Sequence, residues 1–329
     1  MNNPHIPIID VSGLNDPQTA TGVAKQIAEV CREHGFFYIA GHGVSFELKN
    51  RIQKLSHEFF ALPEEEKKRI AMHKAGKAWR GFFAVNDELT SGKPDKKEGI
   101  YFGTELSKDD VRVKAGLPLH GANLFPEYPE HFAETVLEYM AAVTQVGHTV
   151  MKGISLSLGL PADYFYQKYN REPLILFRIF HYPPQPANTS DWGVGEHTDY
   201  GLLTILLQDA VGGLQVKSRG EWIFAPPVEN TFICNIGDML DKMTGGVYRS
   251  TPHRVLNVSG RNRLSFPLFF DPGFDTVIER IGNIPQVDAN EALPRWDNAD
   301  VHQFGGTYGQ YLLNKIGKVF PDLKQQVLK

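Results

Sequence analysis

The sequence predicts a mostly β core with flanking α-helices and an N-terminal α/β region. Three observations carry that reading. After residue 172 the apolar pattern breaks into short, β-rich runs separated by turns, the density expected of a β-sandwich or barrel. Before it, apolar residues recur at helical spacing around two strand-like runs. Finally, 31 glycines and 21 prolines supply many turns, their share being roughly 16% against an average near 12%. By length alone the 329 residues suggest about two domains. Barrels and sandwiches, however, run past about 200 residues as one unit, so one large catalytic domain fits equally.

Near the start, Ile6-Pro7-Ile8-Ile9-Asp10 reads as a short strand, and Asp16-Pro17 supplies an N-cap and a first-turn proline for a helix. Val23, Ile27, Val30 and Cys31 give that helix one apolar face, and Gly35 ends it. Gly35-Phe36-Phe37-Tyr38-Ile39 returns as a strand. A second amphipathic helix carries Leu48, Ile52, Leu55 and Phe59, and residues 63–73 form a charged third one opened by Pro63. From about residue 129 to 160 a long helix carries Phe132, Val136, Met140 and Val143. The strands of the second half are then Ile175-Leu176-Phe177, 203–207, Leu214-Gln215-Val216, Trp222-Ile223-Phe224, 232–236, Val255-Leu256 and 264–270. A final helix, about 304–316, bears Tyr308, Tyr311 and Leu312. A closed or double-sheeted shell of this kind offers a mouth where a few inward side chains hold a small cofactor.

Composition excludes other classes. A net charge of −4, with 42% apolar and 22% charged residues, is ordinary for a folded soluble protein and excludes disorder across the chain. The densest charge run, Glu64-Glu65-Glu66-Lys67-Lys68-Arg69, cancels itself, which argues against nucleic acid as a partner. No stretch approaches the ~18 apolar residues of a spanning helix, and Met1-Asn2-Asn3-Pro4-His5 lacks a signal layout. The expectation is a cytoplasmic protein with no membrane partner. Cys31 and Cys234 are too few and too far apart for a disulfide framework or a zinc knuckle, and read as small buried apolar residues.

Within the β-rich half lies Gly195-Glu196-His197-Thr198-Asp199-Tyr200-Gly201. In a strand, alternation puts His197 and Asp199 on one face with Thr198 opposite. His253 follows 54 positions after Asp199, at the start of another predicted strand. Two histidines and one carboxylate are the facial triad that leaves open positions on Fe(II). Alone, His-x-Asp reads as a solvated or hydrogen-bonded pair. Arg263-Leu264-Ser265, ten residues beyond His253, changes the weight. Alternation places Arg263 and Ser265 on one face, and a guanidinium beside a hydroxyl suits a carboxylate.

This order and spacing resembles the Fe(II)- and 2-oxoglutarate-dependent oxygenases, specifically the isopenicillin N synthase-like branch of iron/ascorbate-dependent oxidoreductases. The likeness extends to residues 6–14, the stretch from Glu33-His34-Gly35 to Gly41-His42-Gly43-Val44, and Phe59-Phe60-Ala61-Leu62-Pro63. Asp95-Lys96-Lys97-Glu98, Tyr182-Pro183-Pro184 and Asn235-Ile236-Gly237-Asp238 carry it further, so that it covers nearly the whole chain. The resemblance implies a double-stranded β-helix, or jelly roll, over residues 172–280. It is preceded by an α/β region (1–125) and supporting helices (126–171), and followed by a helical segment (281–329). It implies His197, Asp199 and His253 as iron ligands. Arg263 and Ser265 would hold the distal carboxylate of 2-oxoglutarate, assisted by Tyr182. The chain has Phe180-His181-Tyr182 where many plant members have Asn-Tyr-Tyr before Pro-Pro, so one asparagine contact near the cosubstrate is absent. His181 is given no metal role.

The implied activity is hydroxylation, desaturation or ring closure of a small organic molecule, consuming O2 and 2-oxoglutarate and releasing succinate and carbon dioxide, with ascorbate as a stimulant. The alternative is an Fe(II) oxidase of the same branch, which retains Arg-x-Ser without using 2-oxoglutarate. A zinc hydrolase could use a related ligand set but has no reason to need Arg263 and Ser265, and a silent jelly-roll binding module would not need all three ligands. Ferrous iron held by two neutral imidazoles and one carboxylate keeps a net positive charge, which favours chelation by a 2-oxo acid. The apolar residues around the motif, including Leu202, Leu203, Ile205 and Leu207, are expected to keep water out, although most of them read as simple core. His34, His42 and the Gly41-His42-Gly43 turn read as structural. Trp79-Arg80-Gly81-Phe82-Phe83 and Tyr101-Phe102 lie in regions that approach substrate in this family, or else pack. The prime substrate and the oligomeric state stay open at this point.

Overall fold

The structure is a computed structural model that describes residues 6–90, 92–185, 192–218, 220–257, 259–284 and 301–319. From the N-terminal side, β1 (Ile8–Asp10), α1 (Ala20–Glu33), β2 (Phe36–Ala40) and α2 (Phe46–Phe60) follow one another. α1 begins later than the Asp16-Pro17 pair predicts. A 3-10 turn over Val11–Asn15 uses the preceding chain, and the Asp16 carboxylate accepts from the Gln18 amide at 2.9 Å without capping a helix. It ends as predicted: Gly35 takes φ +65°, and its amide bonds back to the Val30 carbonyl. α2 is capped by Ser45, whose hydroxyl accepts from the Leu48 amide, and it buries Leu48, Ile52, Leu55 and Phe59.

The charged third helix expected over 63–73 shrinks to α3 (Glu64–Lys67). Lys67 is drawn inward to pair with Glu98 at 2.7 Å, and Ala71 leaves the helix to bridge Phe82, which ends the regular turn. Next come β3 (Gly81–Phe83), the short pair β4 (Leu89–Thr90) and β5 (Lys93–Pro94), β6 (Glu98–Gly103), α4 (Val111–Lys114), the long α5 (Phe132–Ser157) and α6 (Tyr164–Lys168).

Eight strands are then divided between two sheets: β7 (Leu174–Tyr182), β8 (Val194–His197), β9 (Leu203–Gln208), β10 (Leu214–Ser218), β11 (Glu221–Phe224), β12 (Phe232–Ile236), β13 (His253–Val255) and β14 (Arg263–Asp271). α7 (Asp238–Thr244) sits between β12 and β13, and α8 (Tyr308–Val319) comes last. One antiparallel sheet runs β12-β9-β14-β7 and the other β11-β10-β13-β8, the arrangement of a double-stranded β-helix. The first sheet grows to eight strands because β2 and β1 add beyond β12, and β6 and β3 add beyond β7. Strands from the 1–125 segment therefore hydrogen-bond directly to strands of the 172–280 segment.

β14 shows how the pleat positions the site. Leu264, Phe266, Leu268 and Phe270 point to the apolar core and to α5, where Gly147 lets the helix settle on Phe270; a Cβ there would lie 2.4 Å from the ring. Each such side chain contributes roughly 1.5–3 kcal/mol by burial. The other parity, Arg263, Ser265, Pro267, Phe269 and Asp271, faces the cavity between the sheets. Cys31 and Cys234 are both buried. α8 starts later than predicted because Thr307 is spent on a bridge to Val277 and Phe304 packs on Tyr311. Parts of the expected 281–329 segment, residues 285–300 and 320–329, lie outside the described residues. Among the described residues no helix is long and apolar enough to cross a membrane.

Candidate active site

The two histidines meet because β8 and β13 pair with His197 opposite His253, which brings their ring centroids to 4.2 Å. Asp199 arrives differently from the sequence expectation. β8 stops at His197, so the chain turns through 198–201 instead of alternating, and Thr198 lines the same cavity rather than an opposite face. The turn still delivers the carboxylate: Asp199 Oδ1 lies 3.9 Å from His197 Nε2 and 3.7 Å from His253 Nε2. One donor atom from each residue falls within 4.8 Å of the others.

The remaining atoms of the three side chains are spoken for. His197 Nδ1 donates to the Gly195 carbonyl at 2.8 Å and His253 Nδ1 to Thr251 at 3.2 Å, tautomers that leave both Nε2 lone pairs free. Asp199 Oδ2 accepts from Thr204 Oγ1 at 2.5 Å and from Asn235 Nδ2 at 2.7 Å, leaving Oδ1 toward the histidines. Burial, aided by the neighbouring His197, lowers the His253 pKa to about 4, so the ring is neutral at neutral pH. Burial acts to raise that of Asp199, but the two imidazoles and the Thr204 and Asn235 donors outweigh it and hold the carboxyl below its ordinary value. Two neutral nitrogens and one anionic oxygen, each oriented by a second partner, form a donor set that fits ferrous iron.

The turn itself is pinned by the start of α7. Asp238 and Met239 amides donate to the Asp199 and Gly201 carbonyls, and the Gly237 amide donates to Leu202. Gly237 permits this approach, since a Cβ would sit 2.5 Å from the Gly201 oxygen. Thr204 was not singled out by sequence reasoning, and Asn235 entered only within a family-like segment without a role; the available signal was a polar side chain inside each of two apolar runs, 203–207 and 232–236.

Arg263 and Ser265 line the same cavity, as alternation predicts, and Tyr182 stands directly across the strand pair from Arg263. The Arg263 guanidinium is fully buried, its carbon 4.5 Å from the centre of the Tyr182 ring. Nε donates to the Gly212 carbonyl, whereas Nη1 and Nη2 have no hydrogen-bond partner. Two unbonded NH2 groups on a buried cation are costly unless an anion meets them. The cavity measures about 490 Å³ and runs from Arg263 past the triad to Asp271 and α8.

Leu202, Leu203, Ile205 and Leu207 belong to the main core, and the opposite parity of β9, Thr204 and Leu206, lines the cavity. Of the aromatic segments, Tyr101 reaches the cavity. Phe102 stacks in the core, and Arg80 bonds to the Leu119 and Thr104 carbonyls. His181 is held between Glu98 and Asn262 and stacked on Phe60, away from the triad. His34 bonds Ser218 and His42 bonds the Asn230 carbonyl, both structural contacts.

A jelly roll that brings two histidines and one carboxylate together in a cavity with an unpaired arginine defines a non-haem iron oxygenase. Comparisons agree. The family model described as 2OG-Fe(II) oxygenase superfamily matches residues 173–272, and the N-terminal model described as non-haem dioxygenase in morphine synthesis matches 6–128. A probable iron/ascorbate oxidoreductase of Dictyostelium discoideum is 52% identical, with 98% of this chain and 97% of the relative covered. A 1-aminocyclopropane-1-carboxylate oxidase of the same organism is 43% identical, over 96% of this chain and 95% of its own. A homoarginine-6-hydroxylase of Arabidopsis thaliana is 40% identical, over 94% and 96%. Among solved structures, a full-length Neurospora crassa protein in complex with alpha-KG, the 2-oxoglutarate ion, and thymine superposes with a TM-score of 0.79 at 27% identity, covering 95% of this chain and 96% of that one. The chain belongs to the 2OG-Fe(II) oxygenase superfamily. It is a non-haem Fe(II)- and 2-oxoglutarate-dependent dioxygenase.

Proposed function

We propose that His197 Nε2, Asp199 Oδ1 and His253 Nε2 hold the ferrous iron, that Arg263, Ser265 and Tyr182 hold the distal carboxylate of 2-oxoglutarate, and that the reaction is hydroxylation of a small molecule. The observation that carries the cosubstrate assignment is the buried Arg263 with two unbonded nitrogens facing the cavity. Ser265 adds a hydroxyl from the same face of β14, and the Tyr182 ring flanks the guanidinium. Bound iron with 2-oxoglutarate and O2 supplies oxidising power that no side chain has, with succinate and carbon dioxide as co-products. The chain's own residues orient and exclude. Thr204 and Asn235 fix which oxygen of Asp199 is offered, and the aromatic and aliphatic lining keeps the site dry. Similarity to the homoarginine-6-hydroxylase supports hydroxylation over desaturation or ring closure. Similarity to the iron/ascorbate oxidoreductase supports stimulation by ascorbate. Buried free thiols suit a reducing compartment, and we assign the enzyme to the cytosol.

The test is an anaerobic titration of the iron-loaded protein with 2-oxoglutarate, followed by product analysis in labelled dioxygen. A metal-to-ligand absorption band that saturates with 2-oxoglutarate, one succinate per product and one labelled oxygen atom in the product are expected. Turnover that runs without 2-oxoglutarate would return the oxidase alternative, and a product that lacks the label would exclude hydroxylation.

A further inference from the structure

We propose that the end of the cavity away from Arg263 is a receptor for a free amino acid, with Arg178 taking its carboxylate and Asp271 its ammonium group. The proposal rests on the oxygenase reading above and deepens it to a substrate class. Both side chains face the cavity, Arg178 from β7 and Asp271 from the neighbouring β14. Phe269 lies between them on the same face, its ring 5.6 Å from the Arg178 guanidinium carbon. Asp271 is 2% exposed, and its Oδ2 accepts from the Tyr308 hydroxyl while Oδ1 accepts no hydrogen bond. Burial, with the nearby Asp199 charge, raises its pKa to about 7, against the pull of the Tyr308 bond, the Arg178 charge and the Leu202 amide.

Arg178 is incompletely served as well. Its guanidinium lies on the Tyr101 ring at 3.4 Å and reaches the Phe102 and Phe177 carbonyls only at 3.4 and 3.3 Å. Among the described residues it forms no ion pair, either with Asp271 or with any other carboxylate. Of the neighbouring charges, Lys97 meets Glu88 at 2.8 Å and Asp95 at 2.5 Å, and Tyr101 donates to Glu88 at 2.6 Å. Arg178 and Asp271 thus line the same space without forming an ion pair with each other.

A molecule with only one charge satisfies one of them and strands the other, at the cost of a buried unpaired group. An occupant carrying both signs a few ångströms apart satisfies both, and the head of a free amino acid is the simplest such group. Its placement suits the chemistry. Gly201, two residues after Asp199, abuts Asp271 so closely that a Cβ there would lie 1.5 Å from Oδ1. The ammonium site is therefore beside the turn that carries the metal-facing carboxylate. Phe180, Tyr200, Phe269 and Leu312 supply apolar walls for the rest of the substrate.

The experiment uses the full chain with Fe(II) and 2-oxoglutarate under argon, reading the absorption band first and calorimetric binding second. The ligands are the common L-amino acids with their shorter and longer homologues, each set against its decarboxylated amine and its N-acetyl derivative. At least one free amino acid should bind, with its amine and N-acetyl analogues about tenfold or more weaker, the loss expected for one bond to a charged group. Asp271→Asn should weaken the free amino acid by a similar factor and narrow its advantage over the N-acetyl form. Free and N-acetylated forms binding alike, or no free amino acid binding while the band is present, would overturn the proposal. Absence of the band itself would sink the iron and cosubstrate assignment, and this proposal with it. Because the analogue comparison uses the unaltered protein, it decides the matter even where Asp271→Asn does not fold.

Discussion

At one end of the inward face of β14 stands Arg263, a buried cation with two unbonded nitrogens and, among the described residues, no carboxylate paired with it. At the other end stands Asp271, a buried acid tied to a helix through Tyr308 and facing Arg178 across Phe269. The first end is assembled from two adjacent strands and offers a single sign of charge, as befits a cosubstrate that never varies. The second draws on β6, β7, β14 and α8, offers both signs, and can change with any of those elements. On the reading proposed above, one strand would present a constant ligand at one end and a particular one at the other.

Four substitutions probe that contrast. The largest effect is expected where both ends depend on one residue. Asp199→Ala should abolish turnover and iron retention together, measured by metal content after desalting; full activity would remove it from the ligand set. Arg263→Ala should come next, costing roughly 3–5 kcal/mol of 2-oxoglutarate affinity, a hundredfold or more, because it breaks a buried charge contact. Titration of the absorption band reads this directly, and unchanged affinity would mean the Arg263 end binds something else. Asn235→Ala frees Asp199 Oδ2 from one of its two donors and should cost about 10–100-fold in iron affinity. Iron competition with a chelator measures it, and parent-like affinity would leave Thr204 as the sole brace that matters. An effect of similar size belongs to Ser265→Ala, about 1.5–3 kcal/mol in 2-oxoglutarate binding. A loss equal to that of Arg263→Ala would show that the two residues act as one unit.

The same contrast separates what is legible in the sequence from what is not. Arg263-x-Ser265 can be read because β14 is continuous and the pleat fixes its parity. His197-x-Asp199 identifies the right pair for a partly wrong reason, since convergence comes from the turn after β8 and not from alternation. Leu202, Leu203, Ile205 and Leu207 can be read from the sequence as water-excluding or as simple core, and the parity of β9 decides for core. Register between strands far apart in the chain decides the rest. Asn235 reaches Asp199 only because β12 lies beside β9, and Arg178 confronts Asp271 only because β7 lies beside β14. No local period encodes such neighbours. The third helix fails for a related reason: Lys67 and Ala71 are claimed by partners in β6 and β3, and tertiary contacts override local propensity.

α8 touches two acids at once. Tyr308 donates to Asp271, and Tyr311 donates to Asp238, whose amide holds the Asp199 carbonyl. This helix follows β14 in the chain, and domains fold from the N-terminal side as they are synthesised. A nascent polypeptide can therefore complete both sheets while still on the ribosome and yet lack the brace for the 198–201 turn and one wall of its cavity. Maturation of the site waits for the emergence of α8, so a ribosome stalled just short of that helix would carry a folded shell with an unfinished pocket.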